Sequence, residues 1–160
     1  MGGQRRRVIV GIGNEYRSDD AVGPLVIAEL LARQPGDPAL SGVELRVSDG
    51  DPAGLLMMWA GAEVAVVVDA VRMDGAPAGH LHELVADDLA AQAGAPVATS
   101  HAIALGETVA LGRALGRLPR RLVVLAVCGK DFGFGTQQTP EVAAAVQPIA
   151  SRARDLASAP

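Results

Sequence analysis

A short apolar run, Val8-Ile9-Val10, breaks into Gly11-Ile12-Gly13-Asn14-Glu15-Tyr16-Arg17-Ser18-Asp19-Asp20-Ala21-Val22-Gly23, and a helical pattern from Leu25 to Leu31 follows. A strand, a glycine turn and a helix, in that order, open an α/β fold. Gly11 and Gly13 allow a tight turn where the strand ends. Ligands of open α/β sheets bind at that C-terminal edge. The loop is therefore expected to floor an active site, with Asp20 as its first functional group.

The rest of the chain repeats the alternation. Val43-Glu44-Leu45-Arg46-Val47 alternates apolar and polar residues and reads as a second strand, at an edge. Ser48-Asp49-Gly50-Asp51-Pro52 has helix-start chemistry, and a short helix from Ala53 to Ala60 is expected. Val64-Ala65-Val66-Val67-Val68 is continuously apolar, as in a strand buried on both faces, and ends at Asp69. Gly79 to Val85 alternates again and is expected to lie antiparallel to its neighbour. A helical turn over Asp87–Gln92 and a loop over Gly94–Ala98 precede Thr99-Ser100, which caps a helix from His101 to Leu115. Arg121 to Val127 is a buried strand, and Cys128 to Thr139 a Gly-rich loop. Pro140 begins the last helix, with Thr139 as its cap. The order β-α-β-α-β-β-α-β-α implies a three-layer α/β/α sandwich of phosphorylase/hydrolase-like type around a mostly parallel, five-stranded mixed sheet.

Length favours one domain over residues 1–160. With 49% apolar residues and only 2% aromatics, the core must be Val, Leu, Ile and Ala. The net charge of −4 argues against a nucleic-acid binder, which carries a basic footprint. Arg5-Arg6-Arg7 reads as a solvated flank, because Gly11 and Gly13 cut short any signal-peptide core. No apolar stretch approaches the ~18 residues of a membrane span. The one cysteine, Cys128, excludes an internal disulfide and a Cys-based metal cluster and reads as a buried or loop thiol. A cytoplasmic protein is expected.

Asp20 follows the first strand, Asp69 ends the most buried one, and His101 opens the helix leading into the last. Crossover helices run antiparallel to their strands, so all three side chains can reach one edge of the sheet. Two carboxylates and an imidazole are a common ligand set for a divalent transition metal. Each residue also has a structural reading: Asp20 as a helix cap, Asp69 as a loop holder, His101 as a helix-start residue. His80 and His82 form an H-x-H on a strand, read as an exposed strand face. Asn14 is expected to bridge backbone groups of its loop, with substrate positioning as its alternative role.

Gly11-x-Gly13-Asn14, then Asp19-Asp20-x-x-Gly23, resembles the N-terminal signature of the [NiFe]-hydrogenase maturation proteases, which trim the C-terminus of the hydrogenase large subunit. Val67-Val68-Asp69-Ala70 resembles the second acidic motif of that family, and Ser100-His101 its histidine motif. Leu122-Val123-Val124-Leu125, a Gly-rich loop and Thr139-Pro140-Glu141-Val142 resemble its C-terminal segment. The likeness runs from residue 7 to residue 150. It implies that Asp20, Asp69 and His101 contact metal and carry the catalysis. It also implies an α/β/α sandwich with a five-stranded mixed sheet, a hydrogenase large-subunit precursor as partner, and nickel supplied by that precursor. The first family position is often Glu; Asp20 is shorter but keeps the carboxylate. The chain departs from the family at Asp49-Gly50-Asp51-Pro52, where a Gly-Gly-Thr-like turn is usual. It departs again at the loop beginning Cys128-Gly129-Lys130-Asp131.

Three rivals bear on this reading. A dinucleotide-binding enzyme would need a third glycine where Tyr16 stands. A peptidyl-tRNA hydrolase-like esterase also opens on a G-x-G-N turn, but would need its histidine motif and a basic face. A non-catalytic metal- or precursor-binding chaperone could use the same scaffold, and a processing assay separates it from a protease.

Overall fold

A computed structural model describes residues 5–86 and 100–158, and only the backbone of residues 100–104. Its strands are β1 (Arg7–Ile12), β2 (Val43–Ser48), β3 (Val64–Val71), β4 (Leu81–Val85) and β5 (Arg121–Cys128). Its α-helices are α1 (Val22–Arg33), α2 (Pro52–Trp59), α3 (Ser100–Leu115) and α4 (Pro140–Ser158). The turn and loop expected over residues 87–98, and the capping role of Thr99, lie outside the described residues.

The strands form one five-stranded sheet in the order β2-β1-β3-β5-β4. β1 is parallel to β2 and β3, and β3 is parallel to β5. β4 is antiparallel, as expected, but its partner is β5, which lies between it and β3. β2 is at an edge, as its alternating pattern implies.

Alternation of side chains along each strand sorts the core into two layers. On one face Ile9, Val66, Val68 and Leu125 pack with Val26 and Leu30 of α1 and with Ile149 and Ala153 of α4. On the other, Val8, Val10, Val67 and Val124 pack with Leu55 and Trp59 of α2 and with Leu105 and Val109 of α3. This is the expected α/β/α sandwich. Continuous Val and Ala runs fill β3 because both of its faces are covered.

One boundary and one cap differ from the sequence reading. β3 continues past Asp69 to Val71, because Asp69, Ala70 and Val71 pair with Ala126, Val127 and Cys128. Asp69 therefore sits inside the strand rather than at its end. Asp20 does not cap α1: it lies in a 3-10 turn, Ser18–Ala21, that runs directly into the helix, whose N-cap is Ala21. By contrast, Asp51 caps α2 as expected, accepting from the Gly54 amide at 2.9 Å with Pro52 next to it.

The β1–α1 junction is the tightest place in the fold. A Cβ on Gly11 would overlap the Gly23 carbonyl, and a Cβ on Gly23 would overlap the backbone of Ile12. Only glycine at both positions lets α1 start so close to the sheet. That closeness carries the 3-10 turn, and with it Asp20, down onto the C-terminal edge of β1.

Candidate active site

The two adjacent carboxylates of the Asp19-Asp20 motif do different work. Asp19 is fully buried. Its Oδ2 accepts from the amides of Lys130 at 2.8 Å and Asp131 at 3.0 Å. Its Oδ1 accepts from the Thr139 amide at 2.7 Å, and the Thr139 hydroxyl donates to the same carboxylate. Burial alone would raise the Asp19 pKa, but these donors outweigh it and hold the carboxyl below its ordinary value. Asp19 is a clamp that fixes the β5–α4 loop. Thr139, expected as a cap, turns its hydroxyl to this clamp. The sequence reading chose Asp20 of the pair as the functional group and gave Asp19 no role. The available signal was adjacency, since in a tight turn two neighbouring side chains seldom face the same way.

Further bonds bind the two loops together. The Ser18 amide donates to the Gly135 carbonyl at 3.0 Å, and the Gly135 amide to the Tyr16 carbonyl at 2.9 Å. The Ser18 hydroxyl donates to Gly133 at 2.9 Å. Ser18 has φ of 54°, a left-handed conformation that costs about 1 kcal/mol in a residue with a Cβ. The surrounding bonds hold it there. Asn14 acts as expected: its Oδ1 accepts from the Tyr16 amide at 2.9 Å.

Asp20 is 3% exposed, and its Oδ2 accepts from the Asn14 amide at 2.9 Å. Asp69 is 1% exposed, and neither of its carboxylate oxygens has a hydrogen-bond partner among the described residues. Burial pushes the Asp69 carboxyl well above the ordinary aspartate range, repulsion from Asp20 adds to this, and the Ala70 amide opposes both. The structure thus brings Asp20 and Asp69 close enough to repel each other in a low-dielectric setting. A buried carboxylate with so few donors is uncommon in a folded protein.

By strand alternation Asp69 shares the face of Ala65 and Val67, which is covered by α2 and α3. His101 lies in the first turn of α3, whose N-terminus is at the C-terminal edge of the sheet because the helix returns to the start of β5. The backbone of His101 is therefore at the expected edge; its side chain lies outside the described residues. Among the described residues, a set that leaves out the His101 imidazole, no three His, Cys, Asp or Glu side chains converge as a metal site.

His80 precedes β4 instead of lying on it, and its ring meets that of His82 edge-on at 4.5 Å between centroids. Register places His82 in one row with Ala126 and Asp69, on the same face of the sheet. His80 is exposed, as expected, but His82 is half-buried and its Nε2 has no hydrogen-bond partner among the described residues. Cys128 is buried in β5, and burial raises its thiol pKa, which does not favour a nucleophile.

No helix of the described residues is long and apolar enough to cross a membrane. No curated protein matches the chain significantly by sequence. Solved structures do. The hydrogenase maturating endopeptidase HybD from E. coli superposes with a TM-score of 0.76 at 22% identity, over 92% of this chain and 88% of that one. The [NiFe] hydrogenase maturation protease HybD from Thermococcus kodakarensis gives 0.73 at 23% identity, over 95% and 99%. HycI from Thermococcus kodakarensis KOD1 gives 0.67 at 20%, over 99% and 96%. At such identities these likenesses speak for the fold. The family model for the hydrogenase maturation protease HycI matches residues 27–155, a span that contains Asp69 and His101 and begins after Asp20. With that match over most of its length, the chain belongs to the hydrogenase maturation protease family.

Proposed function

We propose that the protein is the endopeptidase that removes a C-terminal peptide from a nickel-loaded [NiFe]-hydrogenase large-subunit precursor. The observation that carries this reading is the Asp20–Asp69 pair: two buried carboxylates at the C-terminal edge of the sheet, with no side-chain donor on the Asp69 oxygens among the described residues. Paired buried carboxylates of this kind favour a cation. Carboxylates and an imidazole suit divalent nickel, so Asp20, Asp69 and His101 are the residues that would hold it. Nickel belongs to the substrate in this scheme and arrives with the precursor.

The site then reads the precursor's metal as a condition for cleavage. A cation between Asp20 and Asp69 removes their mutual repulsion and repays the desolvation of Asp69. Without it, the two charges oppose a closely docked substrate. Nickel held by these residues would supply Lewis acidity, and a carboxylate of the pair could serve as the base that activates water. Cleavage consumes one water: its oxygen joins the carbonyl carbon, the C–N bond breaks, and the leaving amine takes up a proton.

Mass spectrometry of the cognate precursor, incubated with this protein with and without nickel loading, tests the proposal. Loss of a C-terminal peptide from the nickel-loaded form alone is the expected result. A precursor that binds and keeps its full length would replace the protease reading with a chaperone.

A further inference from the structure

Near the candidate active site lies a cleft of about 520 Å³. One wall is the β3–β4 connection, residues 72–77; the other is Gly129 and Lys130, at the start of the β5–α4 loop. The walls are stitched together at their base, where the Gly129 amide donates to the Val71 carbonyl at 2.9 Å. The cleft thus opens where β3 and β5 end, just beyond Asp69 on the same strand.

Two cations frame it, both exposed. Arg72 holds its guanidinium 5.1 Å from the centroid of the Phe132 ring, a cation–π contact that orients the side chain and leaves its donors open. Lys130, the chain's only lysine, has its backbone amide fixed by the buried Asp19 carboxylate at 2.8 Å. Among the described residues neither makes an ion pair, although Arg6, Arg33, Arg152 and Arg154 all do. Asp74 is the acid in the lining. The cleft is therefore net positive on a chain whose net charge is −4.

We propose that this cleft is an anchoring subsite for a carboxylate of the peptide being processed, held by Arg72 in a forked contact and by Lys130 as a point charge. It rests on the reading of the chain as a processing endopeptidase and names what that enzyme recognises beside the cut. Guanidinium geometry matches a carboxylate, and a fixed ammonium adds attraction without demanding orientation. Asp19 links the two functions, because the clamp that shapes the Asp20 turn also positions Lys130. A peptide lying across the site would be gripped by the same rigid pair of loops that presents the catalytic carboxylate.

The test is steady-state cleavage of the nickel-loaded precursor by the wild-type protein, Arg72→Ala, Lys130→Ala, the double variant and Arg72→Lys, at low and high salt. Each alanine variant should raise KM about fivefold at low salt, with kcat within about twofold, as expected for a charge at the edge of an interface. The double variant should lose most of the salt dependence of KM, and Arg72→Lys should recover part of the loss. Cleavage by the wild type with KM unchanged in the double variant would overturn the subsite and leave the protease reading standing. If the wild type binds the precursor without shortening it, the protease reading fails, and the subsite is judged by affinity. Weaker precursor binding by the double variant then supports it, and equal binding refutes it.

Discussion

The Asp19 carboxylate and the Thr139 amide are joined by a 2.7 Å hydrogen bond that spans 120 positions of the chain. With the Lys130 and Asp131 amides on the other oxygen, this one side chain fastens the loop after β5 to the loop after β1. Asp19→Ala leaves several buried donors unpaired. It should cost about 3 kcal/mol of stability, read as a lower denaturation midpoint in urea. Asp19→Asn keeps acceptor capacity on one oxygen and should fall between the two. An Asp19→Ala protein as stable as the wild type would show that the loops are held by other means.

Asp69 should be a residue whose ionised form costs the fold stability. Its carboxylate is buried, has no side-chain donor among the described residues and is repelled by Asp20. Asp69→Asn removes that charge, and in metal-free protein it should raise stability by about 1–2 kcal/mol. The same change should abolish processing. Thermal unfolding by circular dichroism checks the first expectation, and the precursor mass assay the second. A less stable Asp69→Asn protein would mean that the carboxylate has a structural role.

His101→Ala and Asp69→Ala should each stop processing while the far-ultraviolet circular dichroism spectrum stays that of the folded protein. Both residues lie within the span matched by the family model. Normal cleavage by both variants would end the assignment of the site.

Gly23→Ala tests the seat of the Asp20 turn. The added methyl would run into the backbone of Ile12, and the overlap should destabilise the protein by about 3 kcal/mol. Processing should fall further than stability alone requires, because displacement of α1 moves Asp20. Activity measured well below the unfolding temperature separates the two effects.

Cys128 should be inert in the native state. Its thiol is buried and its pKa is raised by burial, so labelling by a thiol reagent should be at least about 100-fold slower than in the urea-unfolded chain. Rapid native labelling would reveal an opening of the end of β5.

The layers of the fold were legible in the sequence, for a physical reason. Continuous Val runs such as Val64 to Val68 demand cover on both faces, and the Gly11 and Gly13 turn demands a helix folded back on the first strand. Those local requirements place Asp20 and the start of the His101 helix at one sheet edge before any long-range contact is considered. The partner of β4 was not legible, because pairing with β5 depends on a strand far along the chain.

The sequence by itself determined the α/β alternation, the glycine turn and the residue types that can meet metal at the C-terminal edge, since propensity, periodicity and backbone freedom are local. Only the tertiary structure decided that Asp19 clamps the β5–α4 loop. It alone decided that Asp69 lies buried inside β3, and that Arg72 and Lys130 frame one cleft. Burial, hydrogen-bond partners and charge balance arise from residues brought together across the whole chain, and spacing along the chain does not encode them.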